Sequence, residues 1–217
     1  MPMGIPKGAV LMEIIRSVES VRGKTKISFE SGWQVWLRRD DIPDFPLKEG
    51  TAVDRETFLR HIRLHQYPAA LDRAVRMLAG RPCSRKEIER RLKLARFDAD
   101  VTELVLYKLE KENLLDDRDF AEQWVQSRSR KYGAARIHRE LRMKGIDEET
   151  ASGILDCISD EEQFQHAVDF AEKKIRSMQD SRDDRKLKQN VIASLVRRGY
   201  SWEIASKAFD EAFSRRE

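Results

Sequence analysis

One apolar pattern recurs three times beyond residue 80 and constrains the fold more than any other feature of the chain. Ile88, Leu92, Phe97 and Leu106 return as Ile137, Leu141, Ile146 and Leu155, and again as Val191, Leu195, Tyr200 and Phe209. In every copy the second residue follows the first by 4, the third follows the second by 5, and the fourth follows the second by 14. A spacing held through three copies marks a tandem array of one supersecondary unit. A further helically periodic segment precedes each copy: Ala74, Val75 and Leu78 in the first, Phe120, Ala121 and Trp124 in the second, Ala167, Phe170, Ala171 and Ile175 in the third. The reading is three three-helix modules, over residues 67–113, 114–160 and 161–217. The copies are displaced by 49 and 54 residues, the difference being taken up in the loop Met178–Asp184. Stacked modules of this size complete one another's cores, so the expected architecture is mainly α, elongated and curved.

Local chemistry fits the joints. Ser84-Arg85-Lys86-Glu87 reads as a capping box, and Gly145 and Gly199 as the ends of the matching helices in the second and third modules. Asp116, Asp117, Asp119 and Glu122 crowd a helix start, where carboxylates meet unpaired N–H groups. That helix is expected to end near Tyr132-Gly133, with the glycine in the left-handed cap conformation.

Residues 1–66 have a different texture and read as a small β-rich module closed by a helix. Thr25, Ile27 and Phe29 share one face of a strand, Ser31-Gly32 is a turn, and Trp33, Val35 and Leu37 alternate on the return, with Trp36 on the other face as cover for a neighbouring segment. Pro43 and Pro46 break the chain, Lys48-Glu49-Gly50 turns it, and Asp54 caps a helix carrying Phe58 and Ile62. The boundary is expected around Gln66-Tyr67-Pro68.

Charge is segregated. The chain has 42 Lys and Arg against 38 Asp and Glu, for a net +4. Yet from Gln123 to Gly145 seven basic residues (Arg128, Arg130, Lys131, Arg136, Arg139, Arg142, Lys144) face the single acid Glu140. Arg136, Arg139 and Arg142 fall on the side of their helix opposite Ala134, Ile137 and Leu141. The equivalent outward positions are Arg90 and Lys93 in the first module but Ala193 and Val196 in the third, whose helix is therefore expected to be more buried or to serve a different contact. A solvated face accounts for a lone basic helix; a segregated basic surface is also the footprint of a polyanion or an acidic protein partner.

Catalytic constellations are missing: no phosphate-cradling glycine loop, no H-E-x-x-H and no C-x-x-C. His61 and His65 share a helix face without a further ligand nearby, and the Asp116 cluster reads as a helix cap, so no metal or other cofactor is expected. Cys83 and Cys157 stand in no metal-ligand or redox spacing and read as reduced thiols. The run Ala9-Val10-Leu11-Met12 is stopped by Glu13, too short for a signal-peptide core, and nothing approaches a membrane span, so a cytoplasmic protein with no membrane partner is expected.

The central stretch resembles the RecX family, the regulatory proteins that act on the RecA recombinase. The resemblance is carried by Leu115-Asp116-Asp117 with Phe120-Ala121, by Tyr132-Gly133, Arg136-Ile137, Glu140-Leu141 and Lys144-Gly145-Ile146, and upstream by Ser84, Glu87, Ile88 and Leu92. It covers roughly Ala70 to Phe213. It implies a non-catalytic modulator, usually an inhibitor, that lies along the groove of the RecA filament on single-stranded DNA and affects ATP hydrolysis, co-protease activity and strand exchange. On that reading the chain is a monomer whose partners are the RecA filament and single-stranded DNA, met directly or through the filament. Its contact residues are Arg90, Lys93, Arg128, Arg130, Lys131, Arg136, Arg139, Arg142 and Lys144. The competing reading is a sequence-independent nucleic-acid-binding protein using the same cations. Such proteins interleave aromatics as stacking platforms, and Tyr132 is the only aromatic read among the basic residues of the stretch, which favours phosphate or carboxylate contacts.

Overall fold

Strand-forming residues give way to helix formers at Asp54, and the fold follows that change. The computed structural model describes residues 11–42, 46–178 and 183–215. The expectations on Ala9, Val10 and Pro43, and on part of the Met178–Asp184 loop, fall outside those residues. The chain divides into two compact units, 1–115 and 116–217.

In the first unit, β1 (Met12–Val21), β2 (Lys24–Phe29), β3 (Gln34–Leu37) and β4 (Ala52–Asp54) form an antiparallel sheet in the order β3-β2-β1-β4. The β2–β3 hairpin is the one expected from Thr25, Ile27 and Phe29 alternating against Val35 and Leu37. Its inner face stacks Phe29 on Trp33, with ring centroids 4.5 Å apart, and both meet Phe58 edge-on. Strand β4 has too few residues to show a period, and the sequence reading misses it.

Helix α1 (Arg55–Gly80) starts at Asp54, whose carboxylate accepts from the N–H groups of Glu56 and Thr57. It then runs unbroken through Pro68, so the expected boundary at Gln66-Tyr67-Pro68 lies inside a helix. Proline withholds a helical hydrogen bond at a cost of about 3 kcal/mol. That cost is outweighed by packing on both sides of it: Phe58 and Ile62 are buried before Pro68, Ala70 and Ala74 after it. Gln66 is fully buried, and its side-chain amide donates to the Trp36 carbonyl at 2.9 Å while its oxygen accepts from the Asp98 N–H at 2.9 Å. Sheet, α1, α2 (Arg85–Leu94) and α3 (Ala99–Lys111) therefore share one core, running from Ile15 to Leu115.

The second unit holds α4 (Asp117–Arg128), α5 (Ala134–Lys144), α6 (Glu148–Leu155), α7 (Asp160–Arg176), α8 (Asp184–Arg197) and α9 (Trp202–Ser214). Asp116 caps α4, accepting from the N–H groups of Arg118 and Asp119, which is the role read from sequence. Of the twelve residues of the repeat pattern, all but the partly buried Phe97 lie in the cores.

The offset of 5 has a physical origin. In α2, α5 and α8 the N–H of the third pattern residue reaches back to the carbonyl of the second: Phe97 to Leu92 at 3.2 Å, Ile146 to Leu141 at 3.1 Å, Tyr200 to Leu195 at 3.3 Å. Each is the outer bond of a Schellman cap. Its inner bond joins Arg96 to Lys93, Gly145 to Arg142 and Gly199 to Val196. The cap requires a left-handed residue, and Arg96, Gly145 and Gly199 have φ of 66°, 90° and 91°.

Gly133 departs from expectation. Helix α4 ends at Arg128, and Gly133 has φ −75° as the residue before α5. Space demands its small size: a Cβ there would lie 2.4 Å from the carbonyl carbon and oxygen of Gly199.

Candidate functional site

The basic stretch folds around its one acid. Glu140, on α5, faces the end of α4, and its carboxylate accepts from the indole N–H of Trp124 at 3.2 Å and from Arg136 Nε at 3.1 Å, with Arg128 Nε at 3.6 Å. The Arg128 guanidinium lies 4.5 Å from the centre of the Trp124 ring, and Lys144 Nζ lies 4.6 Å from the same ring. Arg136 stacks on Tyr132 at 3.8 Å. Arg128, Arg136 and Lys144 are thus half-buried members of an ordered cluster, held by an acid and two aromatic faces.

Trp124 is the aromatic that the sequence reading left out of the basic stretch. It precedes Arg128 by one helical turn, so the pairing was present as an i, i+4 spacing.

The remaining stretch residues divide further. Arg142 is exposed and lies 3.8 Å from Glu148, which also takes His138 at 2.8 Å. Glu148 begins α6, three residues beyond the end of the basic stretch at Gly145. Arg139 is exposed, and among the described residues it forms no ion pair. The row Arg136, Arg139, Arg142 is therefore one structural arginine, one open arginine and one loosely paired arginine.

Arg130 and Lys131 lie exposed in the turn between α4 and α5, where they line a cleft with Gln165, His166, Asp169, Phe170 and Lys173 of α7 and with Arg198. The turn is fixed from the third module. Arg198 Nη1 donates to the Lys131 carbonyl at 2.9 Å, and the Gly133 N–H donates to the Arg198 carbonyl at 3.0 Å. The same guanidinium lies 4.1 Å from the Phe170 ring centre and 5.7 Å from that of Tyr132. The cleft gathers four cations, Arg130, Lys131, Lys173 and Arg198, with one carboxylate, Asp169. His166 Nδ1 is buried there without a hydrogen-bond partner among the described residues.

Sequence reading confined the basic face to the first two modules, and so missed Lys173 and Arg198. The close approach of Gly133 to Gly199 is what brings Arg198 in, and nothing local to either glycine announces it.

In the first unit, Arg90 and Lys93 are exposed on α2 beside Lys86, Glu89, Leu94 and Arg96. Lys93 is ion-paired with Glu89. Arg96, held in the left-handed cap position, lays its guanidinium 4.6 Å from the Trp36 ring centre, so Trp36 does cover a neighbouring segment. The Lys24 ammonium is held below the ordinary lysine range by burial and then by Arg38, Arg73 and Arg96, with Asp41 opposing them.

Among the described residues no group of three or more His, Cys, Asp and Glu side chains could hold a metal. His61 bonds the Asp41 carbonyl at 3.0 Å through Nε2; Cys83 is buried and Cys157 exposed, and among the described residues they form no disulfide. No described helix is long and apolar enough to cross a membrane.

Comparison with known proteins agrees with the modular pattern. Residues 70–109, 116–153 and 160–209 match the first, second and third three-helix domains of RecX respectively. A Regulatory protein RecX from Corynebacterium efficiens is 36% identical over 149 residues, 64% of this chain and 71% of the relative. One from Mycobacterium avium is 33% identical over 133 residues, 60% of this chain and 77% of the relative. A crystal structure of a regulatory protein RecX superposes with a TM-score of 0.63 at 23% identity, covering 91% of this chain and 99% of that one, a likeness of fold.

Proposed function

This chain belongs to the RecX family, and we propose that it is a non-catalytic regulator, and specifically an inhibitor, of the RecA recombinase. It acts in the cytoplasm as a monomer, binding along the groove of the RecA filament on single-stranded DNA and lowering ATP hydrolysis, co-protease activity and strand exchange. The observation that supports this best is the cleft between the α4–α5 turn and α7, where Arg130, Lys131, Lys173 and Arg198 meet a single carboxylate. Hydrogen bonds across the joint hold two of the four residues in place, so a polyanionic surface meets cations whose setting is ordered beforehand. Arg139 extends the positive surface along α5, and Arg90 with Lys93 supplies a second one on the first unit.

The same cations also suit a sequence-independent nucleic-acid-binding protein. Two features weigh toward phosphate or carboxylate contacts in place of base stacking: Trp124 carries Arg128 and Lys144 on its ring, and Tyr132 carries Arg136. Co-sedimentation separates the two readings. A filament regulator pellets with RecA filaments on single-stranded DNA at ionic strengths where it no longer binds the bare strand. Equal or stronger binding to bare DNA would establish the nucleic-acid-binding reading instead.

A further inference from the structure

The third module departs from the other two at one place on its surface. Where the second helix of each earlier module presents cations, Arg90 and Lys93 or Arg139 and Arg142, α8 presents Ala193 and Val196. These residues are not covered: Ala193 is exposed and Val196 retains 45% of its accessible surface. With half-buried Ile192 and with Trp202, which opens α9 and is 69% exposed, they line a groove. Single exposed apolar residues are ordinary on a protein surface, but a contiguous set around an exposed tryptophan is a contact surface in waiting.

The rim selects the partner. Arg185 and Arg197 stand at opposite ends of α8, and among the described residues neither forms an ion pair; Arg197 only donates to Ser194 Oγ at 3.0 Å. The third basic residue, Lys188, is occupied by Asp210 at 2.6 Å. At 1.5 Å per residue the two arginines are about 18 Å apart along the helix, a little over three turns. Such a groove, apolar along its floor and positive at both ends, complements an amphipathic helix with carboxylates at its ends. A nucleic-acid backbone is a poorer fit, because its regularly spaced phosphates would have to lose water against the apolar floor.

We propose that the groove formed by α8 and the start of α9 is a docking site for a short acidic amphipathic helix of a protein partner, separate from the basic cleft and independent of the reading given to it. The probe is a synthetic 16-residue helix with leucines at i, i+4 and i+7 and glutamates at both ends, titrated into the full chain while tryptophan emission is followed. Subtracting the same titration of Trp202→Phe isolates the Trp202 signal. The expected result is saturable binding at least tenfold tighter than that of a peptide with the same leucines and lysine ends. Arg185→Glu with Arg197→Glu should reverse that preference, and Val196→Glu should weaken binding of the acidic peptide at least tenfold without loss of helicity. Since Val196 is exposed, a misfolded Val196→Glu is not expected, and the charge-swapped pair provides a second reading should it occur. Equal affinity for both peptides, absence of binding, or no reversal in the charge-swapped pair overturns the proposal. So does a concentration-dependent dimer in sedimentation equilibrium that Val196→Glu abolishes, which would assign the groove to a second copy of the chain.

Discussion

Gly133 and Gly199 meet backbone to backbone, and their contact joins the second module to the third. A Cβ on Gly133 would lie 2.4 Å from the Gly199 carbonyl, and one on Gly199 would lie 2.5 Å from the Cβ and N of Arg136. Replacing Gly133 by alanine is expected to cost about 1–3 kcal/mol through overpacking. Gly199→Ala should cost about 1–2 kcal/mol more, because Gly199 also has φ 91°. Gly153, inside α6 with open space around it, is the control: Gly153→Ala should stabilise by up to about 1 kcal/mol. Urea denaturation of the three variants measures the order.

Continuity of α1 through Pro68 makes the N-terminal sheet part of the first module's core. A fragment beginning at Ala69 loses Phe58, Ile62 and Gln66, and is expected to lose cooperative folding of everything before Leu115. The fragment 116–217 should keep its helices and its melting transition. Circular dichroism of the two fragments decides; a cooperatively folded first module in the Ala69 fragment would contradict the shared core.

Tyr200 fills a repeat position with a phenol whose oxygen is buried without a partner among the described residues. Burial pushes its pKa from 10.0 up to about 12. Below pH 10 both states are protonated and the phenol does not alter stability with pH. Between pH 10 and 12 the unfolded chain loses the proton first, and stability falls. Tyr200→Phe should therefore leave neutral stability unchanged or raise it by up to about 1 kcal/mol, and should remove that part of the alkaline slope. Denaturant titrations at pH 8 to 11 provide the comparison.

What was legible in the sequence was what helix geometry repeats. The offset of 4 is one helical turn and the offset of 5 is the outer bond of a Schellman cap, so spacing alone places Leu92, Leu141 and Leu195 in the core. The contacts made at a distance were not legible. Gly133 looked like a helix end because the residue that needs its space, Gly199, is 66 positions away. Pro68 looked like a boundary because the side chains that keep α1 continuous across it pack on a sheet and on α3. The basic stripe looked uniform because a helical projection does not show that Glu140 is shared by Trp124, Arg128 and Arg136, nor that Arg198 arrives from the third module.

The sharing of Glu140 decides which cations can be reversed to test the proposed contact surface. Arg136→Glu would put a second carboxylate beside Glu140 and disturb the cluster itself, so loss of activity in that variant would say little about docking. Arg130, Lys131 and Arg139 are exposed, and reversing them should change stability by no more than about 0.5 kcal/mol each. The decisive measurement is inhibition of RecA ATP hydrolysis on single-stranded DNA by the full chain and by the variant Arg130→Glu, Lys131→Glu, Arg139→Glu, with urea denaturation of both. The variant is expected to stay folded and to need at least tenfold more protein for half-inhibition, with a shallower dependence on salt as phosphate contacts are lost. A folded variant that inhibits as the unmodified chain does, at the same concentration and salt, would contradict it.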